Sequence, residues 1–229
     1  MPHGSGSGPT GADRRGWRRW YPEGGPDDLR LFVAVPLGEA ARASVRALVD
    51  EIVADPRLPE AGRLRWAVTE NLHLTVRFLG ATAPERVPDV VAATEATART
   101  AVPFTVRLAG AGAFPALDRP RVIWLGIAEG APELAALAGA LEGELGGRGW
   151  ERDERPFRAH LTLGRADGIP GAGRAVAALV DAAATLDAAW TADRLVVYRS
   201  DLGRGPARYL PLATAQLGDG ALPGGAALR

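Results

Sequence analysis

The apolar residues of this chain follow two different spacings. Continuously apolar runs, or runs apolar at every second position, are typical of β-strands, whereas apolar residues every three or four positions are typical of amphipathic helices. The first spacing predicts strands at residues 29–35, 71–79, 104–108, 122–127, around His160, 194–199 and 208–212. The second predicts helices at residues 38–54, 85–100, from Pro132 onward and 174–186. Strands and helices mixed in this way predict an α+β fold.

The two ends of the chain lack either spacing. Residues 1–28 combine Gly-Ser repeats, prolines and mixed charge, which predicts a disordered N-terminal extension, although Trp17 and Trp20 are unusual in such a segment. Residues 218–229 are rich in Gly and Ala and predict a flexible C-terminal tail. The folded domain is therefore predicted to span residues 29–217.

A short motif occurs twice. His73 and His160 each begin the sequence His-Leu-Thr, and they lie 87 residues apart. The chain contains 12 threonines, so a Thr two positions after a given His is expected by chance about one time in twenty, and after both only about one time in several hundred. The separation is too long for a short-period solenoid, so the repeat predicts two pseudo-symmetric lobes.

Strand geometry places the polar residues of each motif on one face, because alternate side chains of a strand share a face. In the first motif the predicted apolar face carries Leu72, Leu74, Val76 and Phe78, and the polar face His73, Thr75 and Arg77. In the second motif Leu161 and Leu163 oppose His160 and Thr162. Arg165, five residues after His160, joins that polar face only if the chain bends at Gly164, as a glycine permits.

Composition excludes several classes of mechanism. All 27 basic residues are arginine, and the absence of lysine excludes P-loop enzymes, Schiff-base enzymes and ligases that form a lysyl-adenylate. There is no cysteine, hence no disulfide, thiolate metal site or thiol nucleophile. The 27 basic and 27 acidic residues balance, so any nucleic-acid site is local. No apolar run is long enough for a membrane span, which favours the cytoplasm.

The paired motif suits the opening of a cyclic phosphate of RNA. That reaction needs a base to activate water and an acid to protonate the leaving oxygen, and two imidazoles can divide these roles near neutral pH. Thr75 and Thr162 can hold the phosphate oxygens, as can an arginine. A single His in a strand is more often structural, but the pairing favours function. A zinc site would need carboxylates to complete its shell, so no metal is predicted.

Three aromatic residues have two interpretations. Trp66, Phe114 and Trp124 lie within or beside predicted strands, where they can stack on a base or pack in the core. Core packing is the more common role of such residues. The sequence leaves both roles open for each of them.

The motifs resemble those of the LigT-like two-histidine (2H) phosphoesterases, specifically the bacterial and archaeal RNA 2′,3′-cyclic phosphodiesterases, also called ThpR. The resemblance covers residues 30–36, Trp66 with 71–80, 112–115 with 120–124, 157–165 and, more weakly, 199–203 with 209–212. One departure is Ala159, where the family usually has proline. This changes no functional group.

The resemblance implies a bilobal fold in which two pseudo-symmetric lobes, with antiparallel-rich sheets, line a central cleft and the helices lie outside. It implies His73 as the proton donor to the 3′ oxygen and His160 as the proton acceptor from water, with Thr75, Thr162 and Arg165 as phosphate-binding residues. Metal and cofactor are not required. The expected partner is an RNA 3′ end or a small nucleotide carrying a 2′,3′-cyclic phosphate, and the expected protein is a monomer without membrane contact.

Alternative functions fit the same motifs. A related enzyme acts on a cyclic nucleotide or a 2′-5′ oligonucleotide, and the reverse reaction, 2′-5′ ligation of RNA, needs no nucleotide cofactor. A protein of a different class, a non-catalytic module that binds RNA ends, is less well supported, because both motifs are intact.

Overall fold

The computed structural model describes residues 25, 27–201 and 207–218. Its nine strands are β1 (Leu29–Pro36), β2 (Arg65–Trp66), β3 (His73–Thr82), β4 (Phe104–Pro115), β5 (Pro120–Glu129), β6 (Leu161–Arg165), β7 (Ala189–Ala192), β8 (Arg194–Asp201) and β9 (Arg208–Gln216). Its four α-helices are α1 (Glu39–Ala54), α2 (Val87–Thr100), α3 (Ala131–Gly146) and α4 (Ala172–Ala183). Apart from residues 25, 27, 28 and 218, the two predicted tails lie outside the described residues.

The strands form two antiparallel sheets, one for each copy of the motif. The four-stranded sheet has the order β3-β1-β8-β9 and carries His73, and the five-stranded sheet has the order β2-β6-β5-β4-β7. His160 immediately precedes β6. Each motif strand pairs with the central apolar strand of its own sheet, β3 with β1 and β6 with β5. The predicted α+β fold with two lobes is confirmed.

The helices cover one face of each sheet. Helices α2 and α3 pack against the four-stranded sheet, and α1 and α4 pack against the five-stranded sheet. The apolar spacing that predicted α3 is matched by burial, since Leu134, Leu137, Leu141 and Leu145 are all buried. A single hydrophobic core runs through both lobes, from Leu31 and Val33 of β1 to Leu161 and Leu163 of β6.

Several predicted boundaries differ from the structure. Strand β4 extends well beyond the predicted 104–108. Its pairing with β5 is interrupted between Leu108 and Ala111, where Gly110 has a φ of +67°. This irregularity hides the second half of the strand from a simple spacing rule. Strands β2 and β7 have two and four residues; they are too short to show a period and were not predicted.

Candidate active site

His73 lies in an aromatic pocket on the helix-free face of the four-stranded sheet. Its ring stacks on Phe32, with centroids 4.7 Å apart, and meets Tyr209 edge-on at 5.2 Å. Tyr198 stacks on the same Phe32 at 5.2 Å. Burial lowers the pKa of His73, because the imidazolium would lose its water; the hydrogen bond to Asn71 opposes this, and the charge of His160 adds to it. The pocket therefore favours the neutral imidazole.

Both histidines are oriented by the same main-chain contact. The Nδ1 of His73 lies 2.7 Å from the carbonyl oxygen of Asn71, and the Nδ1 of His160 lies 2.7 Å from that of Arg158. A carbonyl oxygen only accepts hydrogen bonds, so Nδ1 carries the hydrogen in each ring. The Nε2 atom of each imidazole remains as the one that exchanges a proton with a ligand.

The two histidines lie within electrostatic reach of each other. A charge on His160 is one cause of the lowered pKa of His73, and strands β3 and β6 are in contact. His160 differs in its surroundings, since its described ring contact is with Phe114, edge-on at 5.6 Å. The arrangement brings two proton-transfer groups to one cleft between the sheets.

Arg165 reaches the cleft face through a β-bulge. In the pairing of β6 with β5, Thr162 lies opposite Trp124 and Arg165 opposite Val122, so Leu163 is an extra residue. Val122 and Trp124 are two positions apart and share a face, hence Thr162 and Arg165 also share it. The bend predicted near Gly164 is present. Burial raises the pKa of Tyr209, a wall of the His73 pocket, and the charge of Arg165 opposes that rise.

A second bulge lies in β3, three residues after His73, just as the first lies three residues after His160. It changes which side chains of β3 share a face. Val33 pairs with Arg77 and Ala34 with Thr75, so Val76 is the extra residue. The predicted alternation is therefore wrong beyond Val76. Phe78 does not face the core: it lies opposite Phe32, on the cleft face.

Arg77 lies on the opposite face from Thr75, against the predicted alternation. Its guanidinium forms ion pairs with Glu142 of α3, at 2.9 Å, and with Asp153, at 3.1 Å. Only 12% of its side chain is exposed, so Arg77 forms a largely buried ion-pair network and is not a cleft residue. The Arg30 guanidinium stands over the ring of Phe78, 5.2 Å from its centroid.

The threonines occupy equivalent positions on the two motif strands. Thr75 lies two residues after His73 and is exposed, and Thr162 lies two residues after His160 and is half-buried. Each therefore presents its hydroxyl on the face that carries the neighbouring imidazole. Hydroxyls and a guanidinium around two imidazoles can hold an anion while a proton moves.

Of the three aromatic candidates, the structure brings two to the cleft. Phe114 contacts His160, and Trp124 lies beside Phe114 with centroids 5.3 Å apart. Trp66 pairs with Gly164, on the face opposite Arg165, and packs against the core. Its indole N–H donates a hydrogen bond to the carbonyl of Ala61, at 3.0 Å. Trp66 is a structural residue in this fold.

Sequence reasoning missed the walls of the His73 pocket. Phe32 lies within a strand that is apolar on both faces, so nothing in the pattern separates it from its core neighbours Leu31 and Val33. Tyr198 and Tyr209 lie in the two late strands, far from either motif in sequence. The available signal was the family resemblance, because its blocks 30–36 and 209–212 contain Phe32 and Tyr209.

The family model of the 2′-5′ RNA ligase superfamily matches residues 40–204. The chain belongs to this superfamily. Within it, the chain is 35% identical over 137 residues to the RNA 2′,3′-cyclic phosphodiesterase of Archaeoglobus fulgidus, an alignment that covers 60% of this chain and 72% of the relative. It is 32% identical over 188 residues to the protein of the same name from Escherichia coli K12, covering 80% and 93%. The predicted resemblance is confirmed.

A solved superfamily structure has the same fold. The crystal structure of E. coli LigT complexed with 3′-AMP superimposes with a TM-score of 0.65 at 28% identity, covering 83% of this chain and 98% of that one. The predicted LigT-like fold is therefore confirmed.

The described residues were also compared with what a metal site and a membrane-spanning helix require. Within residues 25, 27–201 and 207–218, no three or more His, Asp or Glu side chains come together as a metal site. In that same part of the chain, no helix has the length and apolar character needed to cross a membrane.

Proposed function

We propose that this protein hydrolyses the 2′,3′-cyclic phosphate at the 3′ end of RNA and leaves a 2′-phosphate. The observation that carries the proposal is the matched pair of His73 and His160, each held through Nδ1 by the main chain on strands that meet at one cleft. Superfamily relatives named RNA 2′,3′-cyclic phosphodiesterase support the choice of substrate. The proposed partner is an RNA end, bound by a monomer in the cytoplasm.

The proposed reaction is one in-line displacement at phosphorus. Water attacks the phosphorus while His160 accepts its proton, the bond from phosphorus to O3′ breaks, and His73 donates a proton to O3′. Thr75, Thr162 and Arg165 bind the non-bridging oxygens, on which negative charge increases in the transition state. The products are a 2′-phosphate and a free 3′ hydroxyl, and the step leaves His73 neutral and His160 protonated.

The donor role of His73 depends on the substrate. Burial favours the neutral form of this imidazole, whereas a donor must be charged. A phosphodiester anion beside the ring favours the imidazolium, so substrate binding favours protonation of His73. Phe114 and Trp124, on the same face as His160, are proposed to stack on a base.

The direct test is incubation of the purified protein with an RNA that ends in a 2′,3′-cyclic phosphate. We expect a 2′-phosphate, which is identified by its resistance to enzymes that remove 3′-phosphates. Activity should persist after treatment with EDTA, because every proposed step uses protein side chains. A 3′-phosphate product contradicts the assigned regiochemistry, and loss of activity that zinc or manganese restores contradicts the mechanism.

A substrate with a different leaving group distinguishes the role of His73 from that of His160. His73→Ala and His160→Ala should each lower kcat by about a hundredfold to ten-thousandfold, the range of a lost general acid or base. A cyclic substrate with sulfur in place of O3′ needs no proton on its leaving group. It should restore turnover to His73→Ala and leave His160→Ala slow; the reverse result would exchange the two roles.

The same assay decides between the alternative functions. Added RNA with a free 5′ hydroxyl would yield a joined, longer product if 2′-5′ ligation, the reaction for which the superfamily is named, dominates. Tight binding without turnover would identify a non-catalytic module.

A further inference from the structure

An apolar groove lies between helices α2 and α3. It has a volume of about 280 Å³, and its lining comes from the last turn of α2, the residues between α2 and β4, and the first half of α3. Val102, one of the lining residues, is 73% exposed, which is more than any other large apolar side chain among the described residues. Apolar surface gathered at one place is typical of a contact with another segment.

The groove has few polar groups that a ligand could bind. The hydroxyl of Thr97 donates to the carbonyl of Ala93 at 2.9 Å and that of Thr100 to the carbonyl of Thr97 at 3.1 Å, so both are bonded within α2. Glu133, on the first turn of α3, is the one charged residue of the described lining. Pockets for small molecules are usually larger, about 300–1,000 Å³, and have several converging polar groups. The groove therefore suits a short apolar stretch of polypeptide.

The C-terminal end of the folded body lies directly beside this groove. After β9, the amide of Gly218 donates a hydrogen bond to the carbonyl of Ala98, in the last turn of α2, at 3.1 Å. A Cβ placed on Gly218 would lie 3.7 Å from the carbonyl oxygen of Ala101, and Ala101 lines the groove. The φ of Gly218 is +79°, which glycine adopts freely. The residues that follow Gly218 therefore begin at the groove.

The sequence that follows contains an apolar residue at a suitable distance. Residues 219–229 read Asp-Gly-Ala-Leu-Pro-Gly-Gly-Ala-Ala-Leu-Arg, and Leu222 is their first large apolar residue. It comes four residues after Gly218, and four residues extend over at most about 14 Å. The groove runs along α3 from Glu133 to Ala140, roughly 10 Å at the rise of a helix. Leu222 is therefore within reach of the groove.

We propose that residues 219–229 bind in this groove, with the side chain of Leu222 between α2 and α3. The sequence alone predicts a flexible tail here, whereas the proposed contact gives this segment one place on the folded body. Helices α2 and α3 cover the face of the four-stranded sheet opposite the His73 pocket. The contact is therefore expected to stabilise the fold and does not depend on the proposed reaction.

Disulfide trapping tests the contact, because the protein contains no cysteine that would compete. Ala221→Cys is combined either with Ala136→Cys, which lies in the groove, or with Ala135→Cys, which does not line it. Ala135 and Ala136 are both exposed, and side chains of adjacent helical residues point about 100° apart. The two pairs therefore share the same tether and differ only in the face of α3 that they probe.

Under mild oxidation with oxidised glutathione, we expect the pair that contains Ala136→Cys to close at least about tenfold faster. An unbound tail would meet both positions at a similar effective concentration, so it would close both pairs at similar rates. Equal rates would overturn the proposal. Disulfide-linked dimers in place of a closed monomer would also overturn it, because they would assign the groove to a second copy of the chain.

Thermal melting gives an independent measurement in the protein without cysteines. Leu222→Ser should lower Tm by about 2–4 °C, the shift expected for the loss of a partly buried leucine in a domain of this size. Leu228→Ser is the matched control and should leave Tm unchanged, because only Leu222 is assigned to the groove. An unchanged Tm in Leu222→Ser, or equal decreases in both variants, would contradict the assigned contact.

Discussion

The two imidazoles make the same hydrogen bond but have different surroundings. His73 is enclosed by Phe32, Tyr198 and Tyr209, whereas His160 has Phe114 beside it. Burial in an apolar pocket penalises a charged ring, so the protonation of His73 is linked to the integrity of its pocket. This linkage can be measured without substrate.

Protein stability should report the lowered pKa of His73. The folded pKa lies below the unfolded value of about 6.5, so the unfolded chain binds the extra proton and stability falls as pH drops from about 7 through the folded pKa. His73→Gln should reduce this loss. The measurement is Tm at pH 7 and pH 5 for wild type, His73→Gln and the control His3→Gln. Identical slopes for all three would contradict the burial of His73.

Asn71 is expected to position His73 in addition to accepting its Nδ1–H. The Asn71 side-chain amide donates a hydrogen bond to the carbonyl of Ala207 at 2.6 Å, directly before β9, and β9 carries Tyr209. Asn71→Ala should loosen this wall of the pocket, raise the pKa of His73 toward its ordinary value and lower kcat roughly tenfold with little change in KM.

The pKa of His73 in this variant is followed by NMR titration of the imidazole. Gln216→Ala is the control, because it removes an amide from the far end of the same strand, β9. An unchanged pKa in Asn71→Ala, with kcat still reduced, would show that Asn71 acts in some way other than through the pocket wall.

At the scale of elements, the long helices and most strands could be predicted from spacing, but the site could be predicted only in part. His73, Thr75, His160 and Thr162 fall on the expected faces because they precede the bulges at Val76 and Leu163. Beyond each bulge the period of two fails, so Arg77 and Phe78 exchanged faces relative to the prediction. A bulge depends on pairing with a neighbouring strand, which a single run of residues does not reveal.

Arg77 links the strand of the first motif to the segment that precedes the second motif. It follows the bulge of β3, and its ion pairs and a hydrogen bond to the carbonyl of Glu151 hold the irregular segment that leads to His160. Arg77→Ala should lower the free energy of unfolding by on the order of 3 kcal/mol, because Glu142 and Asp153 lose a partly buried partner.

Urea unfolding measures this loss. Arg46→Ala is the control, since Arg46 forms an exposed ion pair with Glu70 that should contribute less than about 1 kcal/mol. Similar losses in the two variants would mean that the Arg77 network adds no more than a surface pair.

At the scale of the whole molecule, both lobes depend on one continuous core. Helix α2 connects β3 of the four-stranded sheet to β4 of the five-stranded sheet, and α3 connects β5 to β6 within the five-stranded sheet, yet both helices pack on the four-stranded sheet. Neither lobe is therefore expected to fold alone.

Removal of residues 1–28 should leave folding and turnover nearly intact, because this segment has no apolar period with which to pack and the first strand begins at Leu29. Thermal melting and the cyclic-phosphate assay check this expectation with the full chain as reference. A large decrease in Tm would show that Trp17 and Trp20 pack on the folded body.

The equivalent bulges bear on how the site distinguishes one ribose oxygen from the other. An approximate two-fold axis that exchanges β3 and β6 also exchanges their imidazoles and threonines, so these groups alone would accept a five-membered ring in either of two orientations related by half a turn. The fifth position after each histidine breaks the equivalence, with an aromatic ring at Phe78 and a cation at Arg165. We therefore expect the polarity of the site to be set by these two residues, which the bulges turn toward the cleft, and not by the two proposed proton-transfer histidines.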